Sequence, residues 1–149
     1  MSNNSVVPIH VPDQLVASIT YSGYYNEAKK YLDQLYKAVN TNIDGKPFTL
    51  FHGKNPITNT VTVEICMPIR KHVNYYDIKT KVLKGGRAFS LLHIGPHNTM
   101  TESYNRLILF MKEIGIEDSL VIREHYHKGP GMFFKGNPDK YRTELIVVL

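Results

Sequence analysis

Val16-Ala17-Ser18-Ile19-Thr20-Tyr21-Ser22-Gly23 and Ala88-Phe89-Ser90-Leu91-Leu92-His93-Ile94-Gly95 decide the fold, because one pattern occurs twice in one chain. Each is an apolar run of strand length that ends on a glycine and leads into a helical pattern. In the first copy Ala28, Leu32, Leu35 and Val39 recur at helical spacing. This predicts a helix over 25–39 with one apolar stripe, stopped by Asp44-Gly45-Lys46-Pro47. In the second, Thr99 and Glu102 have the spacing of a capping box. Met100, Tyr104, Leu107, Met111 and Ile114 mark the buried face, and Gly115 ends the helix. Two further β runs follow each helix, over 48–52 and 60–69, and over 120–127 and 141–149. Gly53-Lys54-Asn55-Pro56 separates the first pair, and Gly129-Pro130-Gly131 with Gly136-Asn137-Pro138 the second. The closing strands share a phrase, Val63-Glu64-Ile65 answering Thr143-Glu144-Leu145. The expected fold is α+β, with tandem duplicated strand-helix-strand-strand units. A mostly antiparallel sheet carries both long helices on one face, with a central ligand cleft between them.

The 149 residues suit a single domain, 1–149, with repeat halves of about 8–69 and 83–149. Ten Tyr and six Phe with no Trp suit an amphipathic cleft. The lone cysteine, Cys66, excludes an internal disulfide and reads as a small buried hydrophobe. The first residues show neither a basic segment nor an apolar one of signal-peptide length, and no run reaches membrane-spanning length. A cytoplasmic location without membrane contact is therefore expected. The net charge of +5 permits attraction to acidic surfaces but specifies none. Six of the eighteen Lys and Arg fall between Arg70 and Arg87, which reads as a solvated connector.

Strand alternation singles out Glu124. In Val121-Ile122-Arg123-Glu124-His125-Tyr126-His127, one face holds Ile122, Glu124 and Tyr126. The other holds Val121, Arg123, His125 and His127 and reads as the wetter one. If Ile122 points inward, so does Glu124, and a carboxylate facing an aromatic cleft needs a cation or a hydrogen-bond donor. Tyr24, Tyr25 and Tyr104 could line the cleft from the helix side or belong to the core. Glu64 shares its face with Thr62 and Cys66 and reads as solvent-facing or structural. Gly95-Pro96 between His93 and His97 breaks any helical ligand face, so no metal is expected. Gly85-Gly86 is a turn before a strand, with no Lys-Ser or Lys-Thr helix behind it to make a phosphate loop. No cofactor is implied.

Leu83 to Ala88, His93-Ile94-Gly95-Pro96-His97, Tyr104, Arg123-Glu124-His125-Tyr126 and Thr143-Glu144 occur in an order that resembles the GyrI-like domain. The resemblance implies the effector-binding half of AraC-type and MerR-type transcription activators, here in a stand-alone form. No helix-turn-helix can be placed, so DNA contact would need a separate DNA-binding protein. The resemblance also implies cationic drugs bound at the Glu corresponding to Glu124, with aromatic rings packing on a flat ligand. It makes Glu144 a second cleft candidate, although both faces of its strand are apolar. One departure is His97, where the family pattern usually has Tyr. The leading expectation is a binder of amphipathic, cationic or planar aromatic compounds, serving effector or toxin sensing or sequestration. An alternative is a hydrolase of reactive cyclopropanoid-type compounds, with Glu124 and Tyr126 as the catalytic pair and Tyr104 as a substitute. A further alternative is a protein inhibitor of DNA gyrase, which an acidic surface would favour and this basic chain does not. Either a monomer or a homodimer is compatible with the sequence.

Overall fold

The computed structural model describes residues 5–116, 120–128 and 137–149. Eight strands build one sheet: β1 (Val7–Val11), β2 (Gln14–Gly23), β3 (Phe48–Lys54), β4 (Val61–Pro68), β5 (Lys79–Leu83), β6 (Gly86–Ile94), β7 (Ile122–Lys128) and β8 (Arg142–Val148). Helix α1 (Ala28–Val39) follows β2, and helix α2 (Met100–Glu113) follows β6. Both expected units are present, as β2-α1-β3-β4 and β6-α2-β7-β8.

The strand order is β1-β6-β8-β7-β3-β4-β2-β5, with every neighbouring pair antiparallel. The units meet where β3 pairs with β7. The outermost strands are exchanged: β1 leads into β2 but pairs with β6, while β5 leads into β6 but pairs with β2. Only Pro12 and Asp13 separate β1 from β2. So short a link cannot span an open sheet, and the sheet therefore curls until its ends meet. Gly85 N–H donates to Asp13 Oδ1 at 2.8 Å and ties the β5–β6 link to the β1–β2 link.

Alternation along each strand divides the side chains between two faces. On the helix side, Leu35 and Val39 of α1 pack on Ala17, Ile19, Ile65 and Met67. Leu107 and Met111 of α2 pack on Leu91, Leu145 and Val147. Full burial of a leucine such as Leu35 or Leu107 contributes about 1.5–3 kcal/mol, which places the helix–sheet seams among the main sources of stability. Inside the curl, Val16, Phe48, Leu50 and Cys66 form a smaller cluster. Cys66 is fully buried, which pushes its thiol pKa up and keeps it a thiol.

Several local expectations give way. The 25–39 helix ends at Val39 as expected, turned by Asn40 with φ of 49°, but it opens as a 3-10 turn, Tyr25–Glu27. Thr99 does not cap α2, because its hydroxyl donates to Pro96 O at 2.7 Å and meets His93 Nε2 at 3.0 Å. Ile114, expected on the buried face, is exposed, since α2 ends at Glu113 and Gly115 turns the chain with φ of 86°. β1 lies outside the runs read from sequence, and β5 lies inside the supposed connector. The Gly129-Pro130-Gly131 turn and Gly136 lie outside the described residues. No helix among the described residues is long and apolar enough to cross a membrane.

Candidate ligand-binding cleft

Register puts the cleft at the meeting of the two halves. Across β3–β7, Phe48 faces His125, Thr49 faces Glu124 and Leu50 faces Arg123, so the pairing reads alike from either strand, centred on Thr49 and Glu124. Toward the outer strands the likeness continues. Thr49 faces Ile65 as Glu124 faces Leu145, and Leu50 faces Glu64 as His125 faces Glu144. Both inner strands shift register just beyond, next to His52 and His127. Each of these histidines reaches the matching glutamate, His52 Nε2 to Glu64 Oε1 at 3.0 Å and His127 Nε2 to Glu144 Oε1 at 2.7 Å.

Two hollows flank this centre on the helix side. The larger, about 770 Å³, is lined by Phe51, Met100, Tyr104, Ile108, Ile122 and Glu124 among others. The smaller, about 200 Å³, includes Ala28, Leu32, Thr49, Ile65 and Tyr126. His97 lines both. The larger lobe therefore presents the Glu124 carboxyl and the Tyr104 phenol, while the smaller presents the Tyr126 phenol and the Thr49 hydroxyl among Ala28, Leu32 and Ile65, with Lys29 and Asn26 beside them.

Glu124 is only 2% exposed. Its Oε1 accepts from the Tyr126 phenol at 2.8 Å, and its Oε2 accepts from the Tyr104 phenol. Because the Tyr126 proton is committed to Glu124, the Thr49 hydroxyl at 2.8 Å is the donor to Tyr126 Oη. A chain of hydroxyls thus fixes one carboxylate between strand β7 and helix α2. Burial of such a group is costly unless hydrogen bonds meet it, and the two phenols do so here, in a lobe whose other lining mixes Phe51, Met100, Ile108 and Ile122 with Lys54, Thr101 and Asn105.

His97 sits beside this chain, its ring 5.6 Å from that of Tyr126 and 6.2 Å from that of Tyr141. Burial and the neighbouring His93 lower its pKa, so at neutral pH the imidazole is uncharged. Its Nε2 is buried and has no hydrogen-bond partner among the described residues. His93 is a core residue, with Nδ1 on Ser103 Oγ at 2.7 Å. Among the described residues no three His, Cys, Asp or Glu gather around a common point.

The structure thus brings Glu124, Tyr104 and Tyr126 together and separates the rest of the expected set. Glu144 faces the opposite side of the sheet, beside His125, where Ser90 Oγ donates to it at 2.5 Å and His127 holds its other oxygen. Hydrogen bonds from Ser90 and His127 keep its pKa low against the opposing effect of burial. Register alone decides this placement. Tyr24 is half exposed and lines neither lobe. The Tyr25 side chain lies outside the described residues. Glu64 is buried rather than solvent-facing, and Lys81 and His52 hold it at 2.5 and 3.0 Å. The strand face read as wetter is so only at its far end, where His127 is exposed; Arg123, at 6% exposure, is covered by the curl. Thr49 was not expected in the cleft, whereas His97, the departure from the family pattern, lines it; His97 shares with Tyr25 the second place after the strand-ending glycine.

Comparison with solved structures supports the same architecture. The C-terminal domain of EcmrR superposes with a TM-score of 0.83 over 99% of this chain and 98% of its own, at 20% identity. SAV2435, solved bound to tetraphenylphosphonium, gives 0.64 over 97% and 93%, at 11% identity. A hydrolase from Listeria innocua gives 0.63 over 97% and 91%, at 16% identity. At these identities the likeness establishes the fold. A search of curated proteins finds no match. Residues 5–149 match the profile of the GyrI-like small molecule binding domain, and the chain belongs to that family.

Proposed function

We propose that the cleft binds amphipathic cationic or planar aromatic molecules, with Glu124 as the recognising carboxylate, in the service of effector or toxin sensing or sequestration. The observation that carries this reading is a carboxylate at 2% exposure on the wall of a cleft whose lining includes Phe51, Met100, Ile108 and Ile122, with Lys54 and Asn105 also on it. Tyr104 and Tyr126 orient it, and their rings offer faces for a flat or cationic ligand. The smaller lobe accommodates an apolar arm. Membership of a small-molecule-binding family and the tetraphenylphosphonium bound by SAV2435 support this choice of ligand class.

A second reading, hydrolysis, draws on the same chain of hydroxyls. A carboxylate hydrogen-bonded to two phenols is a set that can take a proton from water and return one to a leaving group. Thermal-shift screening of the purified protein against cationic dyes, planar aromatics and neutral analogues, with mass analysis of each stabilising compound, separates the two. Cation-selective stabilisation with compounds recovered intact is the expected result. A compound recovered heavier by one water establishes hydrolysis, and equal stabilisation by neutral analogues removes the role given to Glu124.

A further inference from the structure

A second cavity, about 250 Å³, opens on the other side of the sheet, inside the curl. Its lining includes Pro12, Phe48, Pro68, Arg123 and His125. Pro47, Phe48 and Tyr126 also border the smaller lobe of the cleft, but Arg123 and His125 line neither lobe. Arg123 is 6% exposed, yet no carboxylate lies within 4 Å of it among the described residues. Its Nη2 donates to the neutral Lys84 carbonyl at 2.9 Å, and its guanidinium carbon stands 5.9 Å from the centre of the Phe48 ring. The carboxylates nearby are already engaged: Glu64 with Lys81 and His52, Glu144 with Ser90 and His127, and Asp13 with Gly85 and Lys84. A buried guanidinium with five donors is costly to hold unless an anion joins it.

The neighbouring groups suit such an anion. Phe48 and His125 stack with ring centres 4.4 Å apart and planes 12° apart. Nε2 of His125 is buried with no hydrogen-bond partner among the described residues. Burial lowers the His125 pKa to about 4, so the ring is neutral and supplies a hydrogen bond without adding charge. Lys46 lines the cavity but donates to His127 O at 3.2 Å, and Asp44 on the rim, paired with Arg70 at 3.5 Å, opposes a dianion. Val11, Pro12, Pro47 and Pro68 add apolar walls.

We infer that this cavity is a second binding site, separate from the cleft, for a small monoanionic carboxylate with a flat apolar body, taken by the planar fork of Arg123 with Phe48 and His125 beside it. A guanidinium matches a carboxylate with two parallel hydrogen bonds, which a neutral amide of the same shape cannot accept in the same way.

The test is an NMR titration of the full chain with benzoate, its neutral isostere benzamide, and inorganic phosphate, following the His125 ring proton assigned by a His125→Asn variant. Benzoate should move the resonance saturably in the wild type and in Glu124→Gln alike, with benzamide and phosphate at least tenfold weaker. Arg123→Gln should weaken benzoate at least tenfold. The inference is overturned by equal binding of benzamide, by phosphate binding without benzoate, by benzoate binding that Arg123→Gln leaves intact, or by no benzoate response. Should Arg123→Gln not fold, the contrast between benzoate and benzamide in the unmodified protein decides the matter.

Discussion

Glu124, Tyr104 and Tyr126 act as a unit, because each phenol donates to a different oxygen of one carboxylate. Removing the Tyr104 hydroxyl takes away a charge-assisted bond worth about 1.5–3 kcal/mol at most. Tyr104→Phe is therefore expected to weaken a cationic probe about tenfold with an unchanged far-ultraviolet circular dichroism spectrum, measured by calorimetric titration; an unchanged affinity would show that the phenol does not orient the carboxylate. The position of Glu124 was legible from Ile122 two residues earlier, since a strand has only two faces. Glu144 was not, because Leu145 and Ile146 on either side of its strand are both buried and only pairing with His125 settles its direction. Thr49 drew no notice because a threonine in a strand is ordinary; its role arises from standing opposite Glu124.

At the level of elements, the repeat read from sequence corresponds to β2-α1-β3-β4 and β6-α2-β7-β8, and what it omitted was the exchanged edge strands. Lys79-Thr80-Lys81-Val82-Leu83 carries the lysines that protect a sheet edge, so composition alone reads it as a connector. The exchange depends on a close approach at Gly85. A Cβ there would stand 1.9 Å from the Val11 carbonyl oxygen and 2.6 Å from Pro12 backbone atoms, none of which can rotate away. Gly85→Ala should cost about 3 kcal/mol or more and lower the melting temperature by at least about 6 °C, as read by calorimetry. A change of less than about 1 °C would mean that the two links do not meet as described. In α2, Leu107→Ala leaves a cavity at a fully buried site and should cost about 2–5 kcal/mol in a denaturant titration.

For the molecule as a whole, the curled sheet has two faces, and the inner one sets a pH dependence. The His125 pKa falls from an ordinary value near 6.5 to about 4 in the folded protein, chiefly through burial. Above about pH 6.5 the ring is neutral in both states and contributes nothing to the balance. Between about 6.5 and 4 the unfolded chain takes up a proton that the folded chain does not, so stability falls with pH, by up to about 3 kcal/mol. His125→Phe, which keeps the stack on Phe48, should flatten the stability curve across that window in urea titrations; an unaltered slope would show that another group carries it. The low pKa values of Glu64 and Glu144 act below it, their stabilisation being lost as pH falls further.

The cleft on the outer face carries the central claim, that Glu124 selects cations with apolar bodies. Calorimetric titration of the wild type and Glu124→Gln with tetraphenylphosphonium and with neutral triphenylphosphine oxide tests it directly. Binding of the cation to the wild type, a loss of at least tenfold in Glu124→Gln, and weak binding of the oxide to both are the predicted results. Equal affinity of the two proteins for the cation, or of the wild type for the two compounds, would contradict the claim.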